Sequence, residues 1–126
     1  MSLRSPLGQV RGLGSAKEGV QHWWAQRVTA LALIPLALWF VISVITMTGA
    51  GRDEVVSWLG SPFSAAVALL LIGATFWHAM LGVQVVVEDY VHNETRKIAT
   101  LLLVKGLLLL MGLACALSVV VLMVQG

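Results

Sequence analysis

Charge is scarce in this sequence. Asp, Glu, Lys and Arg make up 11% of its 126 residues, against about 25% in a soluble domain, so a water-facing globule is excluded. The net charge is only +2, with the basic residues scattered, so there is no surface for a nucleic acid. A single cysteine, Cys115, stands in an apolar run. An internal disulfide is therefore impossible, and no Cys/His spacing suited to a metal exists. No cleavable leader is evident, because the first apolar run starts only near Val28 and, at about 20 residues, exceeds the usual signal core. A soluble domain is missing too, so any catalytic domain is expected on another chain.

What the chain has instead is apolar length, with 59% hydrophobic residues and a mean hydropathy of +0.92. The expected class is an all-α membrane protein with three transmembrane helices, at about 28–47, 63–87 and 98–124, each able to cross ~30 Å of hydrocarbon. Residues 1–27 read as a polar, glycine-rich cytoplasmic or interfacial arm, mostly irregular but helical near Ala16–Gln21, and 28–126 as the transmembrane domain. Trp23 and Trp24 suit an interfacial anchor, and Pro35 should kink the first span. Thr48 to Pro62 reads as a short loop in which Trp58 returns the chain to the interface and Pro62 opens the next helix. Thr95, Arg96 and Lys97 complete a second, polar turn. In the third span Lys105 is expected to snorkel towards the nearby surface, and Gly112 with Ala116 to allow close helix packing.

Arg4, Arg11, Lys17 and Arg27 lie on the arm, and Arg96 and Lys97 on the second turn, with Lys105 close by. The first loop has only Arg52. The positive-inside rule then puts the N-terminus in the cytoplasm and the C-terminus in the periplasm.

The chemistry concentrates in Trp77-His78-Ala79-Met80-Leu81-Gly82-Val83-Gln84-Val85-Val86-Val87-Glu88-Asp89-Tyr90. His78, Gly82, Val85 and Asp89 share one helical face, and His78 is roughly 16 Å along the axis from Asp89. A polar side chain inside a span is a functional candidate. His78 has two readings: a neutral imidazole hydrogen-bonded to a neighbouring helix, or an axial ligand of haem iron. Gly82, one turn away, leaves room for a flat cofactor. His92 is about 21 Å further by helical rise and His22 is interfacial. A second axial ligand would therefore come from another subunit.

Asp89 and Tyr90 are either a helix-end acid with a belt aromatic, or a quinone headgroup site. In the second reading the tyrosine hydroxyl donates to a quinone carbonyl and the carboxyl relays protons. Glu88 lies about 100° round the helix and is a weaker candidate. Arg27 is a snorkelling charge or an anion clamp.

Three spans, the run Gln26-Arg27-Val28-Thr29-Ala30 and His78-Ala79-Met80-Leu81-Gly82 followed by Glu88-Asp89-Tyr90-Val91 resemble the small hydrophobic anchor subunit of bacterial succinate dehydrogenase. The likeness runs from about Gly19 onward. It implies a multi-pass protein of the bacterial inner membrane, working with a flavoprotein, an iron–sulfur protein and a second three-helix cytochrome b subunit that packs against it. Succinate would be oxidised on the flavoprotein and ubiquinone reduced in the membrane. His78 would be one axial ligand of haem b, the cytochrome b partner giving the other. Tyr90 would hydrogen-bond ubiquinone, with Asp89 in the proton path. Arg27 would lie near the haem propionates and the quinone pocket. His22 does not match the pattern cleanly and is a secondary candidate there. Two alternatives stand beside this reading: the anchor of a quinol:fumarate reductase, and a non-redox structural anchor or transporter subunit.

Overall fold

A computed structural model describes residue 6 and residues 16–125, with side chains from residue 19 onward. Of the arm expected over 1–27, residues 1–5 and 7–15, with Arg4 and Arg11, lie outside the described residues, as does the C-terminal Gly126. Over residues 16–125 four helices follow in order: α1 Ala16–Thr46, α2 Arg52–Gly60, α3 Pro62–Tyr90 and α4 Glu94–Gln125. The protein is all-helical, and α1, α3 and α4 are long and apolar enough to cross a membrane.

α1 has 31 residues, about 46 Å at 1.5 Å per residue, which outlasts a ~30 Å hydrocarbon layer. It passes residue 27 without a break. A helix starting at Val28 would leave four unbonded N–H groups at the apolar boundary, whereas an earlier start moves them into water. The helix also continues through Pro35. It ends where Gly49 turns to a φ of +88°, the one left-handed position among the described residues and a common way to stop a helix.

The loop expected over 48–62 contains a nine-residue helix, α2. Gly51 is extended and precedes it, and Asp53 and Glu54 occupy its first turn, where the helix dipole favours negative charge. Trp58 stacks on Trp39 of α1, with ring centroids 5.5 Å apart. That contact is long-range and invisible to a local reading. Gly60 is needed where α2 meets α4: a Cβ there would lie 3.0 Å from the backbone oxygen of Leu122.

α3 opens with Ser61 extended and Pro62 in the first turn, where its missing N–H costs nothing. At its far end Val91 is extended. Asn93 then starts α4, its Oδ1 accepting the Arg96 N–H at 3.0 Å, as an N-cap does. Lys97 pairs with Glu94 at 3.1 Å. Thr95, Arg96 and Lys97 thus form the first turn of α4 and not the connection.

α3 is the middle helix. It packs on α1 on one side and α4 on the other, and among the described residues α1 and α4 do not meet. The core is thin: Ala65, Ala68 and Val119, with Trp39, Leu59, Leu69 and Ile72 against them. Gly112 does allow close packing, since a Cβ there would come within 3.0 Å of the Phe76 ring. Among the described residues no large side chain is fully buried. Such a row of helices relies on small residues and interhelical hydrogen bonds, because lipid leaves no hydrophobic drive between them.

Candidate functional site

The α1–α3 interface pairs two antiparallel stripes. On α1, His22, Gln26 and Thr29 follow i, i+4, i+7 spacing; on α3, His78, Gly82 and Val85 do the same. The α3 face expected to carry function is therefore the one turned to α1. Thr29 is buried, at 5% exposure, and its Oγ1 lies 2.9 Å from His78 Nδ1. The same hydroxyl is 2.7 Å from the Ala25 carbonyl oxygen and 3.1 Å from that of Gln26. Nε2 of His78 has no hydrogen-bond partner among the described residues. The hydrogen-bonded and the iron-ligand readings of His78 are therefore compatible: one ring nitrogen meets α1 and the other is free.

One turn towards the α1 N-terminus, a cavity of about 420 Å³ is lined by His22, Trp23, Gln26, Arg27, Gly82 and Val85, with Gly19. His22 Nε2 and Gln26 Oε1 are buried there without hydrogen-bond partners. An orphaned buried polar atom costs about 1–3 kcal/mol, so this wall suits a ligand with polar groups. Arg27 lies over the Trp23 ring, 5.3 Å from its centroid, a cation–π contact in the interfacial belt. A Cβ on Gly82 would meet only Gln26 Nε2, at 3.8 Å. The room expected beside this glycine is present, and Gln26 borders it.

On the other side of α3, Lys105 Nζ donates to Gln84 Oε1 at 2.7 Å, and Gln84 Nε2 donates to Glu88 Oε1 at 2.9 Å. Lys105, expected to snorkel towards the surface, reaches that way as far as this amide. α4 is antiparallel to α3, so the route towards the surface runs past Gln84, and the amine stops at that amide. Glu88 is tied into this pair, whereas Asp89 and Tyr90 are exposed. Tyr90 is 79% exposed, so a headgroup bound there needs walls from other chains or lipid. His92 is exposed on the connection to α4, and Cys115 is exposed and free. A larger cavity, about 680 Å³, lies at the opposite end between α2 and the end of α4, away from all of these residues.

The structure thus gathers His22, Arg27 and Gly82 around one cavity and sets His78 a turn deeper. It leaves Asp89 and Tyr90 at the open end of α3. Sequence reasoning missed Thr29, Gln26 and Gln84. The signal was available, since each is a polar side chain in or beside an apolar run.

Residues 1–121 match the family described as succinate dehydrogenase/fumarate reductase transmembrane subunit. The chain belongs to that family. Among its relatives, the succinate dehydrogenase hydrophobic membrane anchor subunit of Paracoccus denitrificans is 36% identical over 95 residues, 75% of this chain and 74% of the relative. The corresponding subunit of Rickettsia bellii is 33% identical over 88 residues, 70% of each chain. The succinate dehydrogenase membrane anchor subunit of Reclinomonas americana is 33% identical over 92 residues, 71% of this chain and 77% of that one. No solved structure matches. The anchor subunit is thus a multi-pass membrane component of succinate dehydrogenase. Among its described residues no three His, Cys, Asp or Glu side chains converge on a metal-sized site.

Proposed function

We propose that this anchor subunit supplies one axial ligand of a haem b and one wall of the site where ubiquinone is reduced. Succinate oxidation then belongs to a flavoprotein, and electrons reach the membrane through an iron–sulfur subunit. A second three-helix cytochrome b subunit packs against this chain and gives the other axial ligand. The end bearing Arg27, Tyr90 and Arg96 faces the cytoplasm of a bacterial inner membrane, a reading supported by the Lys/Arg distribution. The transmembrane domain in this reading is 28–126 and the arm 1–27.

The observation that carries the reading is His78: an imidazole in a lipid-length helix with Nδ1 engaged by Thr29 and Nε2 free. The unpartnered ring nitrogen of His22, beside Arg27, suits the carboxylates of a haem or the oxygens of a quinone, and Gln26 Oε1, an acceptor, suits an O–H such as that of a quinol. Arg27 offers charge and His22 a ring nitrogen. When bound, haem b supplies a one-electron carrier close to the quinone.

At the open end of α3 the Tyr90 hydroxyl donates a hydrogen bond to a quinone carbonyl and holds the headgroup at interfacial depth. Reduction of a quinone to a quinol takes two electrons and two protons. Asp89, exposed beside Tyr90, passes protons from the aqueous side. The relatives' names, all of succinate dehydrogenase, favour this direction over fumarate reduction.

The test is a reduced-minus-oxidised absorption spectrum of the purified complex. His78→Ala should lose or strongly perturb a low-spin b-type signal, and His92→Ala should keep it. An unchanged spectrum in an assembled His78→Ala complex would remove the ligand assignment.

A further inference from the structure

Thr29 sits at a crossing of three contacts, and their distances decide where the protons are. A threonine hydroxyl has one hydrogen to give and lone pairs to receive. Its Oγ1 is 2.7 Å from the Ala25 carbonyl oxygen and 3.1 Å from the Gln26 carbonyl oxygen. Two oxygens held 2.7 Å apart repel unless a proton lies between them, and a carbonyl has none to offer. The Thr29 proton is therefore spent on its own helix, the usual back-bond of a mid-helix threonine. Nδ1 of His78, 2.9 Å away, can be bonded only by donating its own proton to Oγ1. A neutral imidazole protonated at Nδ1 has its remaining lone pair on Nε2, the nitrogen with no partner.

We propose that Thr29 is a positioning residue for the metal ligand: its hydroxyl, committed to the Ala25 carbonyl, fixes His78 in the Nδ1–H form and presents Nε2 to iron. The inference rests on the axial-ligand reading of His78 given above. The backbone of α1 enters the argument as directly as the hydroxyl, since Ala25 orients Oγ1 as an acceptor. Burial of Thr29, at 5% exposure, keeps water from replacing it. A hydrogen bond accepted from Nδ1–H makes the imidazole a stronger donor through Nε2 and holds the ring plane. Loss of such an outer partner typically weakens metal binding about 10–100-fold.

The experiment compares wild type, Thr29→Val, Thr29→Ser and His78→Ala in the whole purified complex. Valine keeps the branched shape and removes the acceptor; serine restores it. The readouts are the rate of haem loss to excess apomyoglobin and the haem midpoint potential, neither of which depends on turnover. Thr29→Val should lose haem about 10–100-fold faster. Its potential should rise, because a weaker imidazole donor stabilises ferric iron less, and Thr29→Ser should return both values towards wild type. If Thr29→Val keeps both wild-type values while His78→Ala has lost the haem, the positioning role is overturned and the ligand reading stands. If His78→Ala retains an unperturbed haem, both fall. Should Thr29→Val fail to assemble, infrared spectra of the native complex with ¹⁵N-labelled histidine still decide the matter. A hydrogen-bonded Nδ1–H at the haem-linked histidine supports the proposal, and a proton on Nε2 overturns it.

Discussion

At the scale of single residues, the polar side chains in the spans are of two kinds. Some are answered within the chain: Thr29 with His78, and Lys105 with Gln84 and Glu88. Others are not: His22 Nε2 and Gln26 Oε1 are buried and unpartnered, and Asp89 and Tyr90 stand exposed. The unanswered group is where a ligand has something to gain, and Tyr90 gives the cleanest test. Tyr90→Phe keeps the ring in the interface and removes one donor, worth about 1 kcal/mol, more in a dry site. Quinone reduction should fall several-fold, whereas succinate oxidation by a dye accepting electrons upstream should not change. A parallel loss of both activities would point to damaged assembly, and no loss of either would make Tyr90 a belt residue only. Asp89→Asn should slow the same quinone step with its haem spectrum unchanged, since it removes a proton carrier and keeps the shape.

At the scale of helices, small residues set the spacing, and their neighbours predict which substitutions matter. An added Cβ at Gly60 would stand 3.0 Å from the Leu122 backbone oxygen, and a backbone atom cannot swing aside. Gly60→Ala should therefore push α2 from α4, with an overpacking cost of about 1–3 kcal/mol. Gly73, mid-way along α3, has nothing within 4 Å of such a Cβ. There Gly73→Ala should be neutral or stabilising, by up to about 1 kcal/mol of helix propensity. Thermal aggregation of the purified complex ranks the two variants. Equal midpoints would mean that α2 is not seated on α4 as described. The Asn93 cap and the Glu94–Lys97 pair add local support to α4, so His92 is confined to a connection too short to bring it near His78.

At the scale of the whole molecule, the chain is a row with α3 in the middle. One side of α3 presents His78 to α1, and the other ties Gln84 to Lys105 of α4. Leu102, Leu110 and Leu31 are among many large apolar side chains left exposed, which lipid and the other subunits must cover. Orientation is a property of this scale too. A reporter fused after Gly126 should read as periplasmic and one inserted near Asn93 as cytoplasmic, because basic residues concentrate on the arm and the first turns of α4. A cytoplasmic C-terminal reporter would invert this orientation and move the proposed quinone site to the other face.

The three spans, the scarcity of charge and the His78–Asp89–Tyr90 spacing were all legible in the sequence. Apolar length and helical periodicity are local properties, and lipid imposes both before any tertiary contact forms. Family resemblance was legible for the same reason, carried by residues close together in the chain. What the tertiary structure decided was which residues meet. Helix α2 escaped notice because its apolar face is short and completed by Trp39, far away in sequence. That the Lys105 amine is met by Gln84 on its way to the surface is likewise something nothing local shows. Thr29 went unassigned because a threonine in an apolar run satisfies itself on its own backbone. Only the docking of α1 on α3 sets that spent hydroxyl against Nδ1 of His78 and leaves Nε2 without a partner among the described residues.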